Sequence, residues 1–428
     1  MNNPTHPHRY LFTLVDGGGT VPVELGIVRR LVERGHDVTV IADASAAADV
    51  HASGAAFRPW ATAPNRAGRQ AEDDPLRDYE CKSPIALVAR ILDRVLVGPA
   101  PAYAADTMAA IDELHPDLVV SSFFSFGSMV AAEARGVPFD VLHPNVYLLP
   151  APGIPPFGLG FRPAKGGPGR LRDRLLTGMT GRQWNKGLPG LNALRTELGL
   201  DPVEDLFDQV HHSRRELVLT SADFDFPGEM PAPVRYTGPV LDDPAWAVDA
   251  AWTPPPGDDP LVLVAFSSTF QDHGGCLQRV ADALGRLPVR GLVTTGPAVD
   301  PASIDAPANV TVVRAAPHSA VLQQAAAVVT HGGHGTVMRT LAADVPMVVI
   351  PHGRDQADNA TRLRVRSAGV VAKRSASAKK IARAVEQLLR DPAYADGASR
   401  LGEAIRRDAA SGAAINELEA IGTCEVAA

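Results

Sequence analysis

The stretch Val328-Val-Thr-His-Gly-Gly-His-Gly-Thr-Val-Met-Arg-Thr-Leu-Ala-Ala-Asp-Val-Pro-Met-Val-Val-Ile-Pro351 decides how this chain is read. The apolar run from Ala325 to Thr330 predicts a buried strand, and Met347 to Ile350 predicts a second one. Between them Gly332, Gly333 and Gly335 make a turn, with a helix opening near Gly335-Thr336. A helix N-terminus behind a glycine turn presents unpaired N–H groups and the positive end of the helix dipole, so it forms an anion site. His331 leaves the strand towards the same point. Glycines cost stability unless a backbone has to come close to something, which favours a ligand over a satisfied core histidine. Asp355-Gln356 follows five residues beyond the second strand, at the carboxyl edge of the sheet. The pair either opens a helix, where the dipole favours Asp355, or binds hydroxyl groups. The whole segment predicts a pocket for a diphosphate carrying a hydroxyl-rich group.

Outward from this segment, strands and helices alternate. Residues 9–15, 38–42, 117–122, 139–143 and 216–221 read as strands, with helices over 21–34, 84–97, 102–114, 126–135, 170–186 and 188–199. A β-α-β opening implies a parallel sheet. Residues 54–82 read as polar and irregular. Residues 147–169 form a long Pro/Gly loop carrying Leu148, Leu149, Ile154, Phe157 and Phe161, which suits a mobile binding wall better than a solvated linker. Gly238 to Pro260 is the linker by composition, and a second βα series runs from 261–266 through 289–294 and 310–313 to the strands already described. The expected division is residues 1–237, a linker 238–260, residues 261–405, and a C-terminal helical segment 406–428 packing back on the first unit. This is an α/β protein of two Rossmann-like parallel-sheet domains facing across a cleft, with ligands at the carboxyl ends of the strands.

Composition narrows the function classes. The 428 residues suit two domains, and 45% hydrophobic with 21% charged residues makes a globular chain. A net charge of −7 argues against a nucleic-acid partner. Cys81, Cys276 and Cys424 are far apart and odd in number, so they make neither a metal motif nor a disulfide framework, which fits a reducing cytoplasm. The polar start, Met1 to His8, has no apolar stretch of a signal peptide, and no run of about 18 apolar residues predicts a membrane span.

Two further loops sit where a ligand is expected. Asp16-Gly17-Gly18-Gly19-Thr20-Val21-Pro22 invites a dinucleotide reading, with Asp43 on a ribose. Pro22 stands where that fingerprint needs its third glycine, so the loop is either a plain tight turn or the shaper of an acceptor pocket. Ser267, Ser268 and Thr269 follow a buried strand, where small hydroxyls either cap a helix or donate to phosphate. His273 lies close behind them, while His334 has no evident role.

Thr330-His-Gly-Gly-x-Gly-Thr336, the x-Pro-x-Val-x-x-Pro run and Asp355-Gln356 resemble the donor motif of family 1 glycosyltransferases of the GT-B fold, enzymes that glycosylate natural products in actinobacteria and plants. The likeness spans nearly the whole chain, more loosely in its N-terminal half. It implies that His331 hydrogen-bonds a donor phosphate and that Gly333, Gly335 and Thr336 hold the diphosphate. Thr269, with Ser268, would add another phosphate donor. Asp355 and Gln356 would bind sugar hydroxyls, and Ala316 and His318 would line the base pocket. No metal and no further cofactor is implied, since these donors replace a cation.

The departure from the family pattern lies in the first unit. Counting back from Arg34-Gly35-His36, the family's catalytic histidine falls on Thr20, and its partner aspartate falls on Ser122. Threonine is a poor general base. Either Asp16, on the same loop, is the base, or the acceptor needs only positioning, or the chain acts with a partner. The leading expectation is an inverting transferase moving a hexose-type sugar from a dTDP- or UDP-linked donor to a small hydrophobic aglycone. The aglycone would lie against the 147–169 loop and the helices near 84–97. A nucleotide-sugar-binding auxiliary without its own catalysis, and a nucleotide-sugar epimerase, are the alternatives. A homodimer stays open.

Overall fold

The computed structural model describes residues 7–16, 19–68, 71–248, 250–267 and 269–421. Seven parallel strands form the first sheet: β1 Arg9–Thr13, β2 Asp37–Ala42, β3 Ala56–Pro59, β4 Leu118–Ser122, β5 Phe139–His143, β6 Arg215–Val218 and β7 Val234–Tyr236, in the order 3-2-1-4-5-6-7. Six parallel strands form the second: β8 Leu261–Ala265, β9 Arg290–Thr294, β10 Val310–Val313, β11 Ala325–Thr330, β12 Met347–Val349 and β13 Gly369–Val371, in the order 10-9-8-11-12-13. Helices cover both faces, so the inner strands read as unbroken apolar runs: every residue of β4, β5 and β8 is buried.

β3, β7 and β13 escaped the sequence reading for one reason. Each is a short edge strand of three or four residues that is only partly buried. The helix expected over 84–97 is Pro84–Ile91, continued by a wider π-type turn Leu92–Leu96.

In each sheet the strand order reverses beside its first strand, between β1 and β4 and between β8 and β11. At such a switch point neighbouring crossovers diverge to opposite faces and leave a crevice at the carboxyl ends of the strands. The loops after β1, β8 and β11 therefore all open onto crevices.

The two units are tied together by buried polar contacts. Asp225 of the first unit receives Arg362 Nε at 3.0 Å and Nη2 at 2.6 Å from the helix Gln356–Val365 of the second. The same carboxylate accepts from the backbone N–H groups of Tyr147 and Phe226 and from the Tyr236 hydroxyl. Asp358 accepts from the backbone N–H groups of Gly158 and Gly160, fixing the long loop to the same helix. After the helix Pro392–Ala410 the chain returns to the first unit, where Ala414, Ile415 and Leu418 of the helix Ala413–Glu419 join the core around Tyr10, Phe12 and Val28. Glu419 pairs there with Arg34 at 2.7 Å and His36 at 2.9 Å. Among the described residues no helix is long and apolar enough to cross a membrane.

Removing one member of a buried ion pair leaves the other charged and unpartnered, at a cost of about 3–5 kcal/mol. Arg362→Met is therefore expected to lower the urea midpoint substantially, and adding Asp225→Asn should recover part of the loss. Both are read from equilibrium unfolding.

Candidate active site

A cleft of about 1150 Å³ runs between the carboxyl edges of the two sheets. On the second unit it is built around β11 and the helix His334–Ala342. Gly333 is the N-cap residue of that helix, and Gly335 and Thr336 lie in its first turn, lining the cleft. Gly332 takes φ +94°, a region that favours glycine. A Cβ on Gly333 would lie 2.5 Å from His331 Nε2, so only glycine leaves room for the imidazole. His331 itself is 7% exposed, with Nδ1 3.4 Å from the Thr330 hydroxyl.

The loop after β8 faces it across the switch point. Thr269 is buried and lines the cleft, its hydroxyl 3.0 Å from Ser267 Oγ. Ser268 lies outside the described residues. Further along the same wall, Ala316 and His318 line the cleft, and His318 Nε2 is 3.1 Å from Thr294 Oγ1.

Asp355 and Gln356 also reach the cleft. Asp355 is the N-cap residue of the helix Gln356–Val365, yet its carboxylate caps no backbone N–H. It accepts instead from Asn359 Nδ2 at 2.6 Å. The Gln356 amide oxygen accepts from the His352 and Gly353 backbone N–H groups, and its nitrogen donates to Gln271 Oε1 at 3.1 Å. The helix-opening explanation accounts for where this pair sits but not for what its side chains bond.

The opposite wall is apolar: Leu87, Val88, Ile91, Leu148, Leu149 and Trp184 line it. Asp16 and Thr20 stand at its edge. The Asp16 carboxylate lies 3.5 Å from Arg66 Nη1. Thr20 is the N-cap residue of the helix Val21–Glu33, its carbonyl accepting from the Val23 and Glu24 N–H groups. Asp43 accepts from the Arg66 backbone N–H at 2.9 Å. Gly17 and Gly18 lie outside the described residues.

Ser122 is placed differently. It ends β4 fully buried beneath the helix Val21–Glu33, beside Glu24. Neither Ser122 Oγ nor the Glu24 carboxyl oxygens meet a partner in good hydrogen-bond geometry. Burial pushes Glu24 up to about 8, with Ser122 opposing and Asp16 reinforcing the shift. This carboxyl, one helical turn beyond Thr20, is a feature the sequence reading missed. The available signal was its spacing, three residues after Val21 and four before Val28 on the apolar face.

Residues 278–421 match the domain family described as Erythromycin biosynthesis protein CIII-like, C-terminal domain. The 4'-demethylrebeccamycin synthase of Lentzea aerocolonigenes is 29% identical over 400 residues, 92% of this chain and 94% of that protein. The oleandomycin glycosyltransferase of Streptomyces antibioticus is 28% identical over 370 residues, 85% of this chain and 79% of that one. The solved calicheamicin glycosyltransferase CalG4 is similar with a TM-score of 0.75 at 25% identity, covering 97% of this chain and 98% of its own.

The fold is that of the GT-B glycosyltransferases, and the chain is similar over most of its length to glycosyltransferases of natural-product biosynthesis.

On the second unit's wall of the cleft the histidines form a neutral cluster. Burial holds His331 down at about 3, helped by His273, His352 and Arg354 nearby. Burial and His352 hold His273 at about 4. Phe266 sits among the three, its ring 6.1 Å from His273, 6.0 Å from His331 and 5.6 Å from His352. His273 is 1% exposed, with both ring nitrogens unpartnered. His334 ties the units instead, its Nε2 2.9 Å from Thr220 Oγ1. Arg354, His352, Gln271 and Arg374 line the same wall of the cleft without having been singled out in the sequence. They flank the glycine motif in space but lie outside it in the chain. Among the described residues no group of three or more His, Cys, Asp or Glu side chains is arranged to hold a metal ion.

A histidine with a depressed folded pKa binds its proton only when unfolded, so its contribution is lost as pH falls from about 6.5 towards its folded value. His273→Phe removes that group. The melting temperature of the variant relative to the wild type is expected to rise steadily between pH 7 and pH 5, and a flat difference would contradict the neutral buried imidazole.

Proposed function

We propose that the chain transfers a sugar from a nucleoside diphosphate sugar, dTDP- or UDP-linked, to a small hydrophobic acceptor, with inversion at the anomeric carbon. The observation that carries this reading is the facing of two unlike walls across one cleft. One holds His331, Thr269 and the N-terminus of the helix His334–Ala342 at a switch point; the other is apolar and carries Asp16. The similarity to the 4'-demethylrebeccamycin synthase and the oleandomycin glycosyltransferase supports the same reading.

In this reading the diphosphate lies on the helix N-terminus, with Gly333, Gly335 and Thr336 beneath it and His331 and Thr269 beside it. Asp355 and Gln356 reach the sugar, and Ala316 and His318 border the base. The acceptor heteroatom attacks the anomeric carbon, the bond from that carbon to the diphosphate oxygen breaks, and the nucleoside diphosphate leaves. The acceptor proton passes to the Asp16 carboxylate. Oriented donors on the phosphate side meet the growing negative charge without a metal ion. Thr20 then shapes the acceptor site, and Ser122 acts only by packing against Glu24.

His331→Ala is expected to weaken binding of the nucleoside diphosphate about tenfold to a hundredfold, as losing a hydrogen bond to a charged group does. Calorimetry with UDP and dTDP reads this, and unchanged affinity would refute the donor assignment. Asp16→Asn is expected to lower kcat by about two to four orders of magnitude at unchanged donor affinity. Unchanged turnover would leave positioning alone as the means of acceptor activation. A wild-type protein that binds nucleotide but turns over no donor and aglycone pair would instead favour the auxiliary reading.

A further inference from the structure

Arg354 precedes the Asp355-Gln356 pair in a left-handed backbone conformation, φ +55°, that a long side chain adopts only under constraint. That conformation sends the guanidinium back over the donor wall. Its Nη1 donates to the Thr269 hydroxyl at 3.3 Å, and its charge adds, after burial, His273 and His352, to what keeps the His331 imidazole neutral. Its Nε lies 2.6 Å from Asp78 Oδ2, across the cleft on the first unit. The two side chains are 19% and 11% exposed. The Asp78 contact is one-sided, because Oδ1 is buried without a hydrogen-bond partner. Next to it, Tyr79 packs edge-on against Phe270, ring centres 5.1 Å apart, immediately after Thr269. The segment 74–79, which lines the acceptor side through Asp74, Pro75, Leu76 and Tyr79, is therefore seated directly on the phosphate loops.

We propose that Arg354 is a diphosphate-binding residue and that Asp78 is its competitor, so that the donor takes the guanidinium from the acceptor-side segment. This rests on the donor-site reading above. A guanidinium beside Thr269 and His331 stands against the oxygens of a diphosphate held there, and its planar fork suits phosphate. Asp78 and a diphosphate are both anions drawn to one cation, and bringing them together is repulsive. Donor binding thus costs the Arg354–Asp78 contact, and the 74–79 wall is loosened when the donor is present. By linkage, anything that tightens Asp78 on Arg354 weakens the donor.

The test is calorimetry of UDP, UMP, dTDP and dTMP on the full chain. Arg354→Gln should bind the preferred diphosphate roughly tenfold more weakly or worse, with the monophosphate affected much less, and Arg354→Lys should recover part of the loss. Asp78→Asn should bind the diphosphate more tightly than wild type, and that gain should vanish when Arg354→Gln is added. Hydrogen exchange over 74–79 should rise on diphosphate binding in the wild type and not in Arg354→Gln. Circular dichroism melting checks that each variant is folded, and Arg354→Lys carries the test if Arg354→Gln is not. If Arg354→Gln or Arg354→Lys keeps wild-type diphosphate affinity while His331→Ala loses it, Arg354 is no ligand. If Asp78→Asn weakens binding, the competition is wrong. If the wild type binds no nucleoside diphosphate, the donor-site reading itself fails.

Discussion

The buried carboxylate of Asp225 is the constraint on which the cleft depends. It accepts from Arg362, from the Tyr236 hydroxyl and from the backbone of Tyr147 and Phe226, so one side chain joins the last strand of the first sheet, the start of the long loop and a helix of the second unit. Arg362 is also stacked on the Phe226 ring, 4.4 Å from its centroid. A charge this well satisfied is costly to disturb, because either partner alone would be stranded away from water. Asp358, one turn earlier on the same helix, holds Gly158 and Gly160 in the same way. These ties bring the two carboxyl edges face to face.

Given that arrangement, the two walls differ because their loops differ. The second-unit wall is glycine, hydroxyl and neutral imidazole around the glycine motif, and its cations come from outside that motif. Arg314, Arg339, Arg354 and Arg374 supply them, while His331 and His273 stay uncharged under burial. The first-unit wall carries the aliphatic and aromatic side chains Leu87, Val88, Ile91, Leu148, Leu149 and Trp184, with ionisable groups such as Asp16, Arg66, Asp78, Lys82 and Arg94 around them. The proposed transfer of a sugar from a charged leaving group to a hydrophobic acceptor suits two such unlike walls.

The first unit holds its own departure from the family pattern. A carboxyl is present near the Thr20 turn, but it comes from Glu24 on the helix and is sealed beneath it, against Ser122. Its oxygens face no solvent, and burial keeps it protonated near neutral pH. The cleft-facing carboxylate of that loop is Asp16, which lies against Arg66.

Local pattern was enough to recognise the inner strands, the glycine turn and the helix behind it, because parallel strands covered on both faces must be continuously apolar and a close backbone approach must be glycine. The cleft-lining positions His331, Gly333, Gly335, Thr336 and Thr269 were readable for that reason, as was the apolar character of the 147–169 loop. The edge strands β3, β7 and β13 were not, since strands of three or four residues are too short to show a period of their own. Nor could the chain by itself announce that Arg354 meets Asp78, 276 residues away, or that Arg362 meets Asp225. Pairings of that kind leave no periodicity in the sequence. They exist only because two sheets with switch points at corresponding places are packed edge to edge, and tertiary structure alone decides which charges share the cleft.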